Sequence, residues 1–225
     1  MRPRILTAEI LDFLSPDDPR AVRSRGDLRR INTIMGQAAI MARLLADFPP
    51  PKLLADLGGG DGRFILSVAR RLAKRWQGVT VMIADRQAIV SVETRAHFAR
   101  MGWRCENLTG DVFATLPLIK PDIICANLFL HHLEDGPLAQ LLALVAQRAK
   151  GFVACEPRRS GFALLGARLV GVLGANDVTR HDAVASVRAG FRGLELSALW
   201  PKNSAWALEE RGIFPFTHGF AAHAL

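Results

Sequence analysis

The stretch LLADLGGGDGRFILSVARR, residues 53–71, decides the fold. An apolar run meets four glycines within five positions, at 58, 59, 60 and 62, and apolar residues then return at helical spacing. Such a turn belongs between a buried strand and the mouth of a helix, where the backbone passes so close to a ligand that a side chain would collide. The spacing excludes two familiar phosphate loops. A dinucleotide fingerprint needs a third glycine at position 63, which is Arg63, and no Gly-Lys-Ser/Thr follows to make a P-loop. What remains is an acid at the strand end followed by alternate glycines: Asp56, Gly58, Gly60 and Gly62, with Gly59 between them.

Outward from this turn, short apolar runs alternate with helical periodicity. Strand-like runs at 52–57, 79–85, 103–108, 122–129 and 151–156 are separated by helical segments at about 61–75, 87–101 and 135–149. That alternation predicts an α/β fold with a mainly parallel sheet and helices on both faces. Residues 27–48 read as one amphipathic helix with Asp27 as its N-cap, stopped by three prolines at 49–51. Beyond Glu156 an apolar helix at about 161–173 and a polar segment at 176–191 lead to two candidate strands, 194–200 and 204–210. A short Pro/Asn turn joins these into a closing antiparallel hairpin. The expectation is one domain: a helical cap over 1–50, a ligand-binding half over 51–156, a lid or substrate insertion over 157–192, and closing strands with a tail over 193–225.

Composition narrows the partners. A chain of 225 residues that is 50% hydrophobic supports one sizeable core. Cys105, Cys125 and Cys155 share no Cys-x-x-Cys spacing and sit in or beside apolar runs, so they read as buried free thiols of a reducing compartment. The opening MRPRILTAEILDFLS is interrupted by Glu9 and Asp12, which argues against a signal peptide. The run at 162–175 is too short to cross a membrane and carries Arg168. A cytoplasmic protein with no membrane span is expected. The net charge of +8 is scattered, and its densest stretch, RAVRSRGDLRR at 20–30, has no aromatic residue to stack on bases. A solvated face or an acidic contact is therefore the reading, and nucleic acid is not the expected partner.

The acid and glycines of 56–62 resemble the first motif of class I S-adenosylmethionine-dependent methyltransferases. The resemblance implies a Rossmann-like fold, a seven-stranded and mainly parallel sheet, with S-adenosyl-L-methionine lying over the strand ends. Asp56, Gly58, Gly59, Gly60 and Gly62 would hold the cofactor's amino-acid end. Asp85, ending the second strand with Arg86 after it, would accept the ribose hydroxyls. Asp111 would meet the adenine amino group, with Val112 or Phe113 against the ring, and Asn127 would lie near the methionine moiety.

The acceptor side is less marked. NLFL at 127–130 stands where enzymes that methylate amide or exocyclic nitrogens carry an Asn/Asp-Pro-Pro-Tyr/Phe motif, and no cysteine pair suits attack on an RNA base. The same loops lack the acidic ligand set of catechol-type enzymes, so no metal is expected. A hydroxyl acceptor needs its proton removed, and histidine is suited to that near neutral pH. The candidates are His131, His132 and His181, with Glu156, Arg180, Ser186 and Arg188 placed to contact a substrate. The stretches LRRINTIMG, NLFLHHL, EPRRS and RHDAVASVRAGF also resemble small bacterial methyltransferases related to the quinone-methylating group. That implies O-methylation of a small lipophilic acceptor, phenolic or polyketide-derived. Two alternatives stand beside it: an RNA methyltransferase using the basic surface, and a non-catalytic partner protein on the same fold.

Overall fold

A computed structural model of the chain describes residues 3–15, 17–202 and 205–225. Its frame is a seven-stranded sheet in the order β3-β2-β1-β4-β5-β7-β6. Five strands run parallel: β1 (Leu53–Leu57), β2 (Thr80–Asp85), β3 (Arg104–Thr109), β4 (Ile123–Asn127) and β5 (Gly151–Pro157). The last two, β6 (Trp206–Ile213) and β7 (Thr217–Ala224), pair antiparallel, and β7 pairs antiparallel with β5. The strand order reverses between β1 and β4. On an open parallel sheet that is the place where a crevice forms beyond the carboxyl ends of the strands.

Each face of the sheet carries its own core. On one side α2 (Gln37–Leu45), α3 (Arg63–Leu72) and α4 (Val92–Arg100) pack Met41, Leu45, Ile65, Val68, Trp76 and Phe98 against Leu54, Val81 and Val153. On the other, α6 (Asp135–Arg148) buries Leu138, Leu141, Leu142 and Val145, three or four residues apart, against Leu57, Ile124 and Phe152. Burial of each such side chain contributes roughly 1.5–3 kcal/mol. Cys125 and Cys155 are buried and Cys105 half-buried, all free. Among the described residues no helix is long and apolar enough to cross a membrane.

The periphery departs from the sequence expectations in three places. The helix expected over 27–48 is two helices, α1 (Pro19–Ile34) and α2, broken at Gly36, whose φ of 65° ends one helix and begins the next. Asp18 is the N-cap of α1, and Pro19 occupies the first turn, where its missing N–H is harmless. Asp27 lies buried within the helix, where its carboxylate accepts from the Asn176 amide at 2.8 Å. The expected strand at 194–200 is instead the short helix α9 (Glu195–Leu199). Apolar residues alternate at 194, 196, 198 and 200 as in a strand, but the buried pair is Leu196 and Trp200, one helical turn apart. The free amides of Leu196 and Ser197 in its first turn donate to the Glu210 carboxylate at 3.0 and 2.7 Å. The closing hairpin therefore comes later, as β6 and β7, and residue 203 of the expected Pro/Asn turn and residue 204 of the expected second strand lie outside the described residues.

Between β5 and α9 run α7 (Gly161–Leu169) and α8 (Asp177–Ala189), the latter covering the expected polar segment. The chain returns from α8 to the sheet at Gly190, where the Phe191 amide donates to the Pro157 carbonyl at 2.9 Å and the Arg159 amide to the Phe191 carbonyl at 2.8 Å. A β-carbon at Gly190 would lie 2.2 Å from the Pro157 carbonyl oxygen, a backbone atom that cannot swing away. Gly190→Ala is expected to cost about 1–3 kcal/mol, read as a lowered denaturant midpoint with an unchanged slope.

Candidate functional site

The glycine turn closes the crevice at the end of β1. Gly58, Gly60 and Gly62 all have positive φ. At Gly58 a β-carbon would also lie 2.5 Å from the Phe129 ring, and at Gly59 one would lie 2.6 Å from an Asp56 carboxylate oxygen. Only glycine lets the turn pass between these groups. Asp85 holds the turn from the neighbouring strand: one of its oxygens accepts from the Gly60 amide at 2.9 Å, the other from the Gln87 amide at 2.8 Å.

Asp56, Gly58, Gly59, Gly60, Asn127 and Leu128 line one side of a cleft of about 560 Å³. The opposite wall comes from α1 and α3 and is rich in arginine: Arg25, Arg29, Arg63, Arg70 and Arg71. Two buried polar atoms in the cleft have no hydrogen-bond partner, Asp56 Oδ2 and Asn127 Oδ1. Burial pushes the Asp56 carboxyl up to about 7, with the Cys125 thiol opposing the rise and the negative charge of Asp85 adding to it. A buried acid oxygen and a buried amide oxygen left unsatisfied call for donors, and a cationic donor suits the acid.

Asp111 and Arg86 continue the row of strand-end residues toward β3. Asp111 caps the short helix α5 (Val112–Thr115), accepting from the Phe113 amide at 2.9 Å, and pairs with Arg86 at 3.2 Å. Asp85, Arg86, Asp111 and Val112 do not line the 560 Å³ cleft. Gly62 opens α3 as its N-cap.

The loop after β4 is organised by Glu156, which is fully buried at the end of β5. Its carboxylate accepts from three consecutive backbone amides, Phe129 at 3.0 Å, Leu130 at 2.9 Å and His131 at 3.4 Å, and faces His131 Nδ1 at 2.7 Å. Glu156, expected from the sequence to contact a substrate, thus reaches back to the preceding loop instead. His131 is buried as well, and its second nitrogen, Nε2, lies 3.4 Å from Glu9 Oε1. Burial alone would lower the His131 imidazole, but Glu156 and then Glu9 outweigh it and raise it to about 9. Burial likewise tends to raise the Glu9 carboxyl, yet His131, His132 and Ser186 hold it below the usual carboxylate range.

His132 is exposed beside this cluster, its ring centroid 4.3 Å from that of His131. The other candidates lie on α8. Ser186 donates to Glu9 and to the Asp182 carbonyl. His181 is exposed and pairs with Asp182 at 2.9 Å; Arg180 pairs with Asp177 at 3.4 Å on the surface, and Arg188 is exposed. Asp182 is interior to the helix, whose N-cap is Asn176. Its buried carboxylate accepts from the amides of Ile10 and Leu11 at 2.8 and 3.0 Å.

The structure therefore brings Asp56, the glycines and Asn127 together at the cleft, and His131, His132, Glu156 and Ser186 together in a second cluster. It leaves His181, Arg180 and Arg188 apart on the α8 surface. Sequence reasoning missed Glu9 and Arg4. Arg4 crosses from the N-terminal segment to Asp135 at 2.7 Å, to the Leu133 carbonyl at 3.0 Å and to the Ala189 carbonyl at 2.9 Å, with its guanidinium 4.3 Å from the Phe191 ring centre. No local pattern signals such residues, because their partners lie more than a hundred positions away.

Comparison with solved structures places the fold among methyltransferases. An O-methyltransferase family protein from Burkholderia thailandensis aligns at a TM-score of 0.62 and 17% identity, over 92% of this chain and 60% of that one. The mitomycin 7-O-methyltransferase MmcR aligns at 0.58 and 21%, over 95% and 60%. The plantazolicin methyltransferase BpumL, solved in complex with SAH, aligns at 0.64 and 11%, over 93% and 92%. The chain thus spans about three fifths of the length of the first two and nearly all of the third. No curated protein matches the sequence. The family described as the O-methyltransferase domain matches residues 14–155, more than half of the chain, and the protein belongs to that family.

Proposed function

We propose that the chain transfers a methyl group from S-adenosylmethionine to the hydroxyl of a small lipophilic acceptor, phenolic or polyketide-derived. One observation carries the cofactor side: two buried, unpartnered oxygens, Asp56 Oδ2 and Asn127 Oδ1, line a cleft beneath a glycine turn that side chains would fill. The ammonium of an amino-acid moiety satisfies both. Asp85 has spare lone pairs for ribose hydroxyls beyond the two amides it already accepts, and Asp111 with Val112 stands where an adenine would lie. When bound, the cofactor supplies an electrophilic methyl on sulfur.

The chain's part is to align an oxygen nucleophile in line with that methyl and to exclude water. The glycine turn and Asn127 fix one reactant. The segment 157–192 with the N-terminal helices forms the lid over the other, joined by Asp27 to Asn176 and by Asp182 to Ile10 and Leu11. The acceptor's proton leaves toward His132, exposed beside the buried His131–Glu156 pair, with His181 as the alternative base on the lid. Ser186 at the cluster, with Arg180 and Arg188 on the α8 surface, are the proposed substrate contacts, while Glu156 serves by holding the loop after β4. In the arrangement seen here both His131 nitrogens already face carboxylates, so His132 is the more accessible of the pair.

A second reading, transfer to RNA, is favoured by the arginine wall of the cleft, since Arg25 and Arg29 belong to the basic stretch of 20–30. Labelled S-adenosylmethionine offered with a panel of phenols, hydroxyquinones and alkylresorcinols, and separately with total RNA, separates the two. Turnover on a phenol with RNA inert is expected; transfer to RNA alone, weakening steeply with salt, overturns the acceptor assignment.

Asp85→Ala is expected to weaken binding of S-adenosylhomocysteine by about tenfold or more in titration calorimetry, since it removes the ribose acceptor and loosens the turn at Gly60. Unchanged affinity removes Asp85 from the site. The Asp56 carboxyl gives a pH dependence of determined sign. Its folded value, about 7, lies above the unfolded one, so the free protein loses stability as pH rises from about 4 through about 7. A ligand ammonium binds the ionised form, so affinity for S-adenosylhomocysteine is expected to fall about tenfold for each pH unit below about 7, and Asp56→Asn is expected to flatten that slope.

A further inference from the structure

The outer face of the lid segment is apolar. On α7, Phe162, Leu165 and Leu169 stand three and four positions apart and are each more than half exposed, and Val172, in the 3-10 turn that continues the helix, is more exposed still. The inner face of the same helix carries Ala163 and Ala167, both buried. A single exposed leucine is ordinary, but this helix turns its large apolar side chains to solvent and its small ones inward, the reverse of a normal surface helix.

The stripe continues onto the turn between β6 and β7. Phe162 stacks on Phe214 and Phe216, with ring centres 5.7 and 5.6 Å apart, and Phe214 is itself about three-quarters exposed. The Phe216 ring lies so close to α7 that a β-carbon at Gly166 would come within 2.7 Å of it. Helix and turn therefore make one contiguous patch, preformed by aromatic contacts, and contiguous exposed apolar patches mark contact sites.

Charge identifies what the patch meets. Residues 157–176 and 211–216, which carry it, hold four arginines and no acid. Arg159 is buried and paired with Glu195, while Arg158, Arg168 and Arg211 enter no ion pair among the described residues. Arg168 and Arg211 are exposed, and Arg180 of α8, paired with Asp177, borders the patch at Gly171. We propose that this face docks the protein on an anionic bilayer surface, the apolar stripe entering the boundary of the acyl chains and the arginines meeting lipid phosphates. A two-fold dimer through the same face would set the patch against itself and bring the unpaired arginines of both copies together, whereas an anionic surface complements them. The net charge of +8 favours the same partner. Docking goes beyond the proposed function and does not depend on it. The two meet in one respect: the lid would rest in the layer where a lipophilic acceptor dissolves.

The test is sedimentation of the full chain with vesicles of phosphatidylcholine alone and of phosphatidylcholine mixed with phosphatidylglycerol. Binding to the mixed vesicles only, weakening as salt is raised, is expected. Leu165→Ser combined with Leu169→Ser is expected to weaken that binding by about tenfold or more, and Arg168→Gln by about fivefold, each with the circular dichroism and melting temperature of the parent. No binding by the parent chain overturns the proposal, as does binding that these substitutions leave unchanged, which would be owed to scattered basic charge. A concentration-dependent dimer that the leucine substitutions dissolve would assign the patch to a second copy of the chain and overturn it equally.

Discussion

The loop after β4 and its histidine cluster depend on one carboxylate. Glu156 lies at the carboxyl end of β5 and is wholly enclosed, a position that is costly for a charge unless every lone pair is met. Three successive amides of residues 129–131 and the His131 ring meet it. The reciprocal effect is that a loop with no regular structure beyond a single 3-10 turn, and with Leu128 at a φ of 53°, is held to the sheet as firmly as a strand. Phe129, fixed by the same carboxylate, presses its ring against Gly58 and so couples this loop to the glycine turn. The two halves of the site, ligand turn and histidine cluster, are set by neighbouring strand ends, with β4 between them.

Electrostatic arrangement separates the two halves. At the cleft a single acid, Asp56, is buried with one oxygen unmet and is thereby held near neutrality. Across β4, Glu156 is buried with a full set of donors and keeps His131 charged. The two buried carboxylates differ in their partners: one oxygen of Asp56 has no donor, while Glu156 meets three amides and the His131 ring. The family to which the chain belongs accounts for the sheet and the turn. The strap that brings Glu9 and Arg4 to the histidines comes from the segment just N-terminal to the matched residues.

Much of this was legible in the sequence, and the reasons are local. Strands β1 to β5 are short apolar runs bounded by turn residues, and the acids at their ends stand out because carboxylates rarely end buried strands without a task. The glycine turn reads clearly because its constraint is steric and acts within five residues. The periphery was less legible. LELSALW satisfies the period of a strand and of a helix equally, and what decides between them is Glu210, a residue of β6 whose carboxylate caps the α9 amides. Asp27 looks like an N-cap by type, yet its partner is Asn176, far along the chain. The histidine pair was visible, but its surroundings were not, since Glu9 and Ser186 meet only once α8 has docked.

The N-terminal strap has a consequence for how the protein is made. Its ties reach forward by 122 positions to His131, 172 to Asp182 and 185 to Ala189. During synthesis residues 4–11 emerge long before the groups that fasten them. The loop-closure entropy of those contacts is repaid only when α8 is in place. The strap therefore cannot take its docked position until α8 has been made and packed against it. Its docking marks the moment at which the acceptor side is completed.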